Sequence, residues 1–154
     1  MRLRNNIFDI IINILCVAQL VGIAIYLIVV WNSLPDQIPG HFNAAGEVNR
    51  WDNKGFLIIM PVINWMMFAG LVLVERFPHL WNVGVTVTEV NKFRVYRVTK
   101  SLLGAIKLIV VTAFTFITII QSLAQGLPLW FLPVFISLLI ATIVIFTIRL
   151  LKAR

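Results

Sequence analysis

Four long apolar runs leave this chain little choice of solvent. They cover residues 7–31, 55–74, 102–123 and 130–151. Each can cross a hydrocarbon core of about 30 Å, which takes about 20 helical residues. Lipid offers no partner to a free backbone N–H or C=O, so each run is expected to be an α-helix. Pro61 is expected to kink the second run, and Pro133 falls in the opening turn of the fourth. A water-soluble domain of 154 residues could not bury a composition that is 60% hydrophobic and only 12% charged. Mean hydropathy is +0.97. The expected fold is therefore an all-α polytopic membrane protein, a single domain over residues 1–154.

The basic residues give these helices a direction. Eleven of the thirteen, namely Arg2, Arg4, Arg76, Lys92, Arg94, Arg97, Lys100, Lys107, Arg149, Lys152 and Arg154, fall on or near one side of the four spans. The other side holds only Arg50 and Lys54, beside Asp36, Glu47 and Asp52. The positive-inside rule predicts both termini in the cytoplasm, an outer loop at 32–54 and a cytoplasmic linker at 75–101. The charge-free turn 124–129 makes the last two helices an antiparallel hairpin. The formal charge of +7 is spread beside the apolar runs instead of forming a basic domain. That pattern fits anionic headgroups, and no nucleic-acid partner is expected. Arg2 and Arg4 imitate a secretory signal, but the following run of about 25 residues is too long for its apolar core, so an uncleaved first helix is expected. Cys16, the only cysteine, lies inside that run and allows no intrachain disulfide.

The loop 32–54 is the polar island of the chain. Leu34-Pro35 and Ile38-Pro39 hold the residues before each proline extended, while Gly40 and Gly46 permit turns. Such a loop is compact and specified, either a rigid lid on the helix ends or a recognition surface. His41, Asn43 and Lys54 are expected to form one polar cluster, with Asp36 as partner of Lys54. A metal is not expected. His79, the other histidine, falls on the opposite side, and zinc sites draw on several His or Cys ligands. Ser33, Asp36 and His41 lack the spacing of a nucleophile elbow, so no catalytic residue is assigned.

Within the spans, Asp9, Asn13 and Cys16 share a stripe of helix one. Asn64 lies near the centre of helix two, and Lys107 about two turns into helix three. Lys107 is expected to snorkel to headgroups. Thr112, Thr115, Thr118, Ser137 and Thr142 are expected to bond between helices. In the linker, 82–89 reads as extended or turn-like. Thr88 and Asn91 then open a basic amphipathic helix leading into helix three. Its Lys92, Arg94, Arg97 and Lys100 are expected to reach phosphates, with Phe93 and Tyr96 in the interface.

Residues 34–54, LPDQIPGHFNAAGEVNRWDNK, followed by a helix with Pro61, resemble the signature of the DUF1648 membrane family. Residues 81–97, WNVGVTVTEVNKFRVYR, are similar to its second block, matching at Asn82, Thr88, Glu89, Asn91 and Tyr96. Asn49, Asp52, Gly84 and Val90 depart from the family's usual acidic residue, glycine, proline and glutamate. The relatives described best look like SdpI-type immunity proteins, which protect a cell from its own secreted peptide toxin and in some cases sequester a repressor. With that resemblance, the expected function is a non-enzymatic, immunity- or receptor-type protein of the cell membrane, and no cofactor is expected. Asp36, His41, Asn43 and Lys54 would meet a secreted peptide or envelope component. The block at Asn82, Thr88, Glu89, Asn91, Lys92, Arg94, Tyr96 and Arg97 would meet lipid or a cytoplasmic regulator. The alternative is a small membrane enzyme or transporter subunit using His41 and Lys54. Oligomeric state is not legible.

Overall fold

The computed structural model describes residues 3–154, so Arg2 lies outside the described residues. Four α-helices carry the chain: α1 (Ile7–Val30), α2 (Ile59–Glu75), α3 (Lys92–Ser122) and α4 (Phe131–Ala153). Each belongs to a helical stretch long and apolar enough to cross a membrane, and the protein is a multi-pass membrane protein. Short 3-10 turns, Trp31–Ser33 and Lys54–Ile58, extend α1 and precede α2. Between them the loop is not irregular. It is a two-stranded antiparallel hairpin of β1 (Gln37–Phe42) and β2 (Val48–Asn53), which the all-helical expectation did not contain.

Local chemistry sets the helix ends. Asn6 caps α1, accepting from the Asp9 amide at 2.8 Å, and the Asp9 carboxylate accepts from the Asn6 amide at 3.0 Å. This reciprocal capping box satisfies two of the amides that a helix start leaves unpaired. Pro61 falls in the first turn of α2, where the amide that proline lacks would be among those a helix start leaves unpaired. Helix α3 begins ten residues before its apolar run and absorbs the basic segment as one continuous helix of 31 residues. One turn ahead of it, the Thr88 amide donates to Asn91 Oδ1 at 2.8 Å and the Asn91 amide to Thr88 Oγ1 at 3.3 Å.

Helix α3 is the spine of the bundle: it packs against α1, α2 and α4, whereas α1 and α2 touch sparsely. One apolar core joins Ile12, Cys16 and Leu20 of α1 to Val111 of α3, with Phe68 and Leu108 around them. A second, at the hairpin end, joins Leu27, Leu34, Ile38 and Leu57. Polar contacts between helices are concentrated on α3. Asn64 of α2 donates to the Val111 carbonyl at 3.2 Å and to Thr115 Oγ1 at 3.3 Å. Thr118 instead bonds within its own helix, to the Phe114 carbonyl.

Lys107 does not snorkel. It is fully buried and donates to Asn13 Oδ1 of α1 at 2.8 Å and to Glu75 Oε1 of α2 at 2.7 Å. An ammonium in this position is stable only with a carboxylate beside it, and the last residue of α2 supplies one. Nearer the termini, Asp9 takes Arg97 at 2.9 Å and Lys100 at 3.4 Å. The stripe of Asp9, Asn13 and Cys16 thus faces α3, with two of its three members answering bases there. Lys107→Met should destabilise the protein by about 3–5 kcal/mol, because Glu75 is left as a buried unpaired charge. Lys107→Met with Glu75→Leu should recover most of that loss in thermal unfolding of the detergent-solubilised chain.

Candidate functional site

The hairpin is held by its own sequence and then fastened to the bundle. Pro39 sits in β1 opposite Trp51, tolerated because a two-stranded sheet consists only of edges. The register slips between Pro39 and His41 and again between His41 and Phe42. Gly40 is required by Asp52: a Cβ there would overlap the Asp52 carboxylate. Arg50 pairs with that carboxylate at 2.8 Å and reaches the Gly40 carbonyl at 3.2 Å. At the tip, Asn43 Oδ1 accepts from the Ala45 and Glu47 amides, both at 2.9 Å, and Asn43 Nδ2 donates to Glu47 at 2.8 Å. Gly46 completes the reversal at φ +80°.

Three contacts lay the hairpin across the helix ends. Ile38 is fully buried in the core with Leu27, Leu34 and Leu57. Gln121 of α3 donates through Nε2 to the Pro39 carbonyl at 2.8 Å. The Leu127 amide, in the turn joining α3 to α4, donates to the Gly46 carbonyl at 2.8 Å. A Cβ on Gly46 would run into the Leu127 carbonyl, so the close approach itself requires glycine.

Between the hairpin, α3 and the start of α4 lies a cavity of about 460 Å³. Its walls are mostly apolar, with Phe114, Ile117, Phe131 and Phe135 facing polar His41 and Gln121. Phe131 stacks on Phe116 with centroids 5.1 Å apart and on Phe135 at 6.2 Å, which fixes that wall. Gln121 is 3% exposed. Its Nε2 is committed to a carbonyl, which can only accept, so Oε1 is left as a buried acceptor with no partner. A cavity of this size with few polar groups has the character of a small-ligand or side-chain pocket.

The four residues expected to cluster are divided between the two ends of the hairpin. Lys54 pairs with Asp36 at 3.5 Å, as expected, and its amide donates to the Asp36 carbonyl at 3.0 Å. His41 lies five residues further along, roughly 16 Å away at about 3.3 Å per residue. Its Nδ1 meets Asn49 Oδ1 at 2.7 Å. The single cluster is therefore not formed, because an extended strand separates what a coiled loop would gather. His41 and Asn43 line the cavity, whereas Asp36 and Lys54 lie outside its lining. Gln121 was missed; its signal was a lone carboxamide near the end of an apolar run. Among the described residues, no group of three or more His, Cys, Asp or Glu is placed to hold a metal ion.

At the other end of the bundle, most of the second block serves internal structure. Asn82 Oδ1 accepts from the Gly84 amide at 3.3 Å, and buried Asn91 donates to the Thr86 carbonyl at 3.0 Å. Tyr96 meets Trp81 edge to face at 6.0 Å, and Trp81 Nε1 donates to the Val74 carbonyl at 2.8 Å. Lys92 pairs with Glu89. Arg97 bonds Asp9 and the Arg4 carbonyl, and buried Lys100 bonds Asn5 at 2.6 Å. Of the four bases expected to reach phosphates, Arg94 alone is exposed and without an ion-pair partner among the described residues.

Gly46→Val should loosen the tip, through strain at positive φ and loss of the Leu127 bond, at a cost of about 1–3 kcal/mol. Amide exchange should then quicken at Asn43–Glu47 and at Leu127 while α1 to α3 keep their protection. His41→Ala removes one exposed bond and should cost about 1 kcal/mol or less.

The family model described as Domain of unknown function (DUF1648) matches residues 19–64, from mid-α1 through the hairpin into the first turns of α2. A protein of Archaeoglobus fulgidus, named only as uncharacterized, is 25% identical over 91 residues. The match covers 54% of this chain and 48% of that protein, so it spans about half the length of the relative. No solved structure matches. A DUF1648 domain is thus present at residues 19–64 of this multi-pass membrane protein, with the hairpin at its centre.

Proposed function

We propose that this chain is a non-enzymatic, immunity- or receptor-type membrane protein that engages a secreted peptide at its hairpin end. Both termini lie in the cytoplasm and the hairpin lies outside, following the distribution of bases. The observation that carries this reading is the apolar cavity under the hairpin, with the side chains of His41, Asn43 and Gln121 as the polar groups in its lining. An apolar peptide side chain would fill the space, and peptide polar groups would meet His41 and Asn43 at its hairpin edge. The resemblance to SdpI-type immunity proteins supplies the class of ligand. The separation of His41 from Lys54 weighs against an enzyme that uses both.

Two measurements test the reading. Cysteines at Asn43 and Val85, in a Cys16→Ala background, should react with an impermeant thiol reagent from opposite faces, Asn43 from outside in intact cells. Labelling of position 85 in intact cells would reverse the orientation. Expression in a sensitive host should then protect it from the secreted peptide fraction of the source organism. Ile117→Trp, which fills the cavity, should abolish protection while membrane levels and melting temperature hold. Full protection by a cavity-filled variant would remove the cavity from the function.

A further inference from the structure

A second cleft lies at the other end of the bundle, between the first turns of α3 and the last turns of α4. It is a shallow, open groove of about 380 Å³, lined by Phe93, Arg94, Arg97 and Val98 of α3 and by Arg149, Lys152 and Ala153 of α4. The antiparallel packing of two helices that each carry a base at i and i+3 brings four cations around one space. Asp9 compensates Arg97. Arg94, Arg149 and Lys152 have no acidic partner among the described residues, and no carboxylate lines the cleft. Two of the guanidiniums are held on aromatic faces, Arg97 over Phe93 at 5.7 Å and Arg149 over Phe146 at 5.5 Å. Such stacking fixes a guanidinium; the Arg97 donors go to Asp9 and the Arg4 carbonyl, whereas Arg149 has no hydrogen-bond partner among the described residues.

Depth identifies the occupant. Helix α4 has 23 residues and runs about 35 Å, slightly more than a hydrocarbon core. Arg149 and Lys152 lie in its last two turns, at the headgroup level of a membrane the helix spans. Just below them the α4 surface is apolar and exposed at Ile145 and Ile148. A phosphate there meets cations above and acyl-compatible surface below, a combination that a soluble anion does not use.

We infer that this cleft is a binding site for the headgroup of an anionic phospholipid, with Arg94, Arg149 and Lys152 as the phosphate-binding residues and Arg97, tied to Asp9, shaping the wall. The site is independent of the function proposed for the hairpin end. Lys92 and Lys100, on the same helix but outside the cleft, take no part.

The test uses the full chain, delipidated in a neutral detergent. Titration with short-chain phosphatidylglycerol should raise its melting temperature saturably, and phosphatidylcholine should not. Combining Arg94→Gln, Arg149→Gln and Lys152→Gln should weaken the phosphatidylglycerol response by about a hundredfold, each base near an anionic surface contributing several-fold. Val98→Trp fills the cleft without changing charge and should abolish the response too, which covers the case that the triple variant inserts poorly. Lys92→Gln should leave it unchanged. Equal responses to the two lipids, or a wild-type response from a folded triple variant or from Val98→Trp, would overturn the site. Inorganic phosphate matching phosphatidylglycerol at equal concentration would overturn the lipid in favour of a free anion.

Discussion

The bundle depends on the charged contacts that α3 makes to α1 and α2. In lipid, apolar side chains gain little by leaving their solvent for one another, so helix association relies on close packing and on polar groups that must find partners. Lys107 joins α1 to α2 through one ammonium, and Asp9 collects Arg97 and Lys100 from successive turns of α3. The sparse contact between α1 and α2 is then no weakness, because each is tied to α3. Among the described residues α4 has no such bond; it meets α3 by packing, with most of its surface turned outward.

That arrangement leaves the hairpin without a charged tie to α3 among the described residues, and a different device closes it. The hairpin presents backbone carbonyls, that of Pro39 in β1 and that of Gly46 at the tip, to a carboxamide on α3 and an amide in the turn after it. Fastening through main-chain groups holds the hairpin while leaving His41 Nδ1 to Asn49 and the aromatic wall of the cavity uncovered. The glycine at position 46 is what permits the approach.

Span number, helix order and the short α3–α4 turn were legible because lipid dictates them: apolar length and backbone satisfaction decide each one. The pairing of Asp36 with Lys54 was legible for a similar reason, since two flanking helices must bring the loop ends together. The hairpin was not. Gln37–Phe42 contains proline and glycine, and its one fully buried aliphatic, Ile38, gives no alternation to read. Strand pairing here comes from the turn built by Asn43 and Gly46 and from the floor beneath. The fate of the bases was also hidden. Lys107 and Glu75 are 32 residues apart, and nothing local tells a buried lysine from a snorkelling one until its carboxylate is placed. The same holds for Arg97 and Lys100, which read as headgroup ligands on a helix taken alone.

Two buried carboxamide oxygens lack partners among the described residues, Asn64 Oδ1 and Gln121 Oε1, and they are not equivalent. Asn64 shares its Nδ2 between a carbonyl and a hydroxyl of α3, so both of its bonds are already helix-to-helix contacts. It lines none of the cavities described above, and its unpaired oxygen costs stability in exchange for registering α2 on α3. Gln121 uses its Nε2 to hold the hairpin and sits on a cavity wall. An apolar residue would fill that position without a buried acceptor, but it would leave the Pro39 carbonyl as the orphan instead. The carboxamide moves the unmet acceptor from the strand to the α3 side chain beside the cavity. This transfer sets the hairpin end apart from the rest of the bundle.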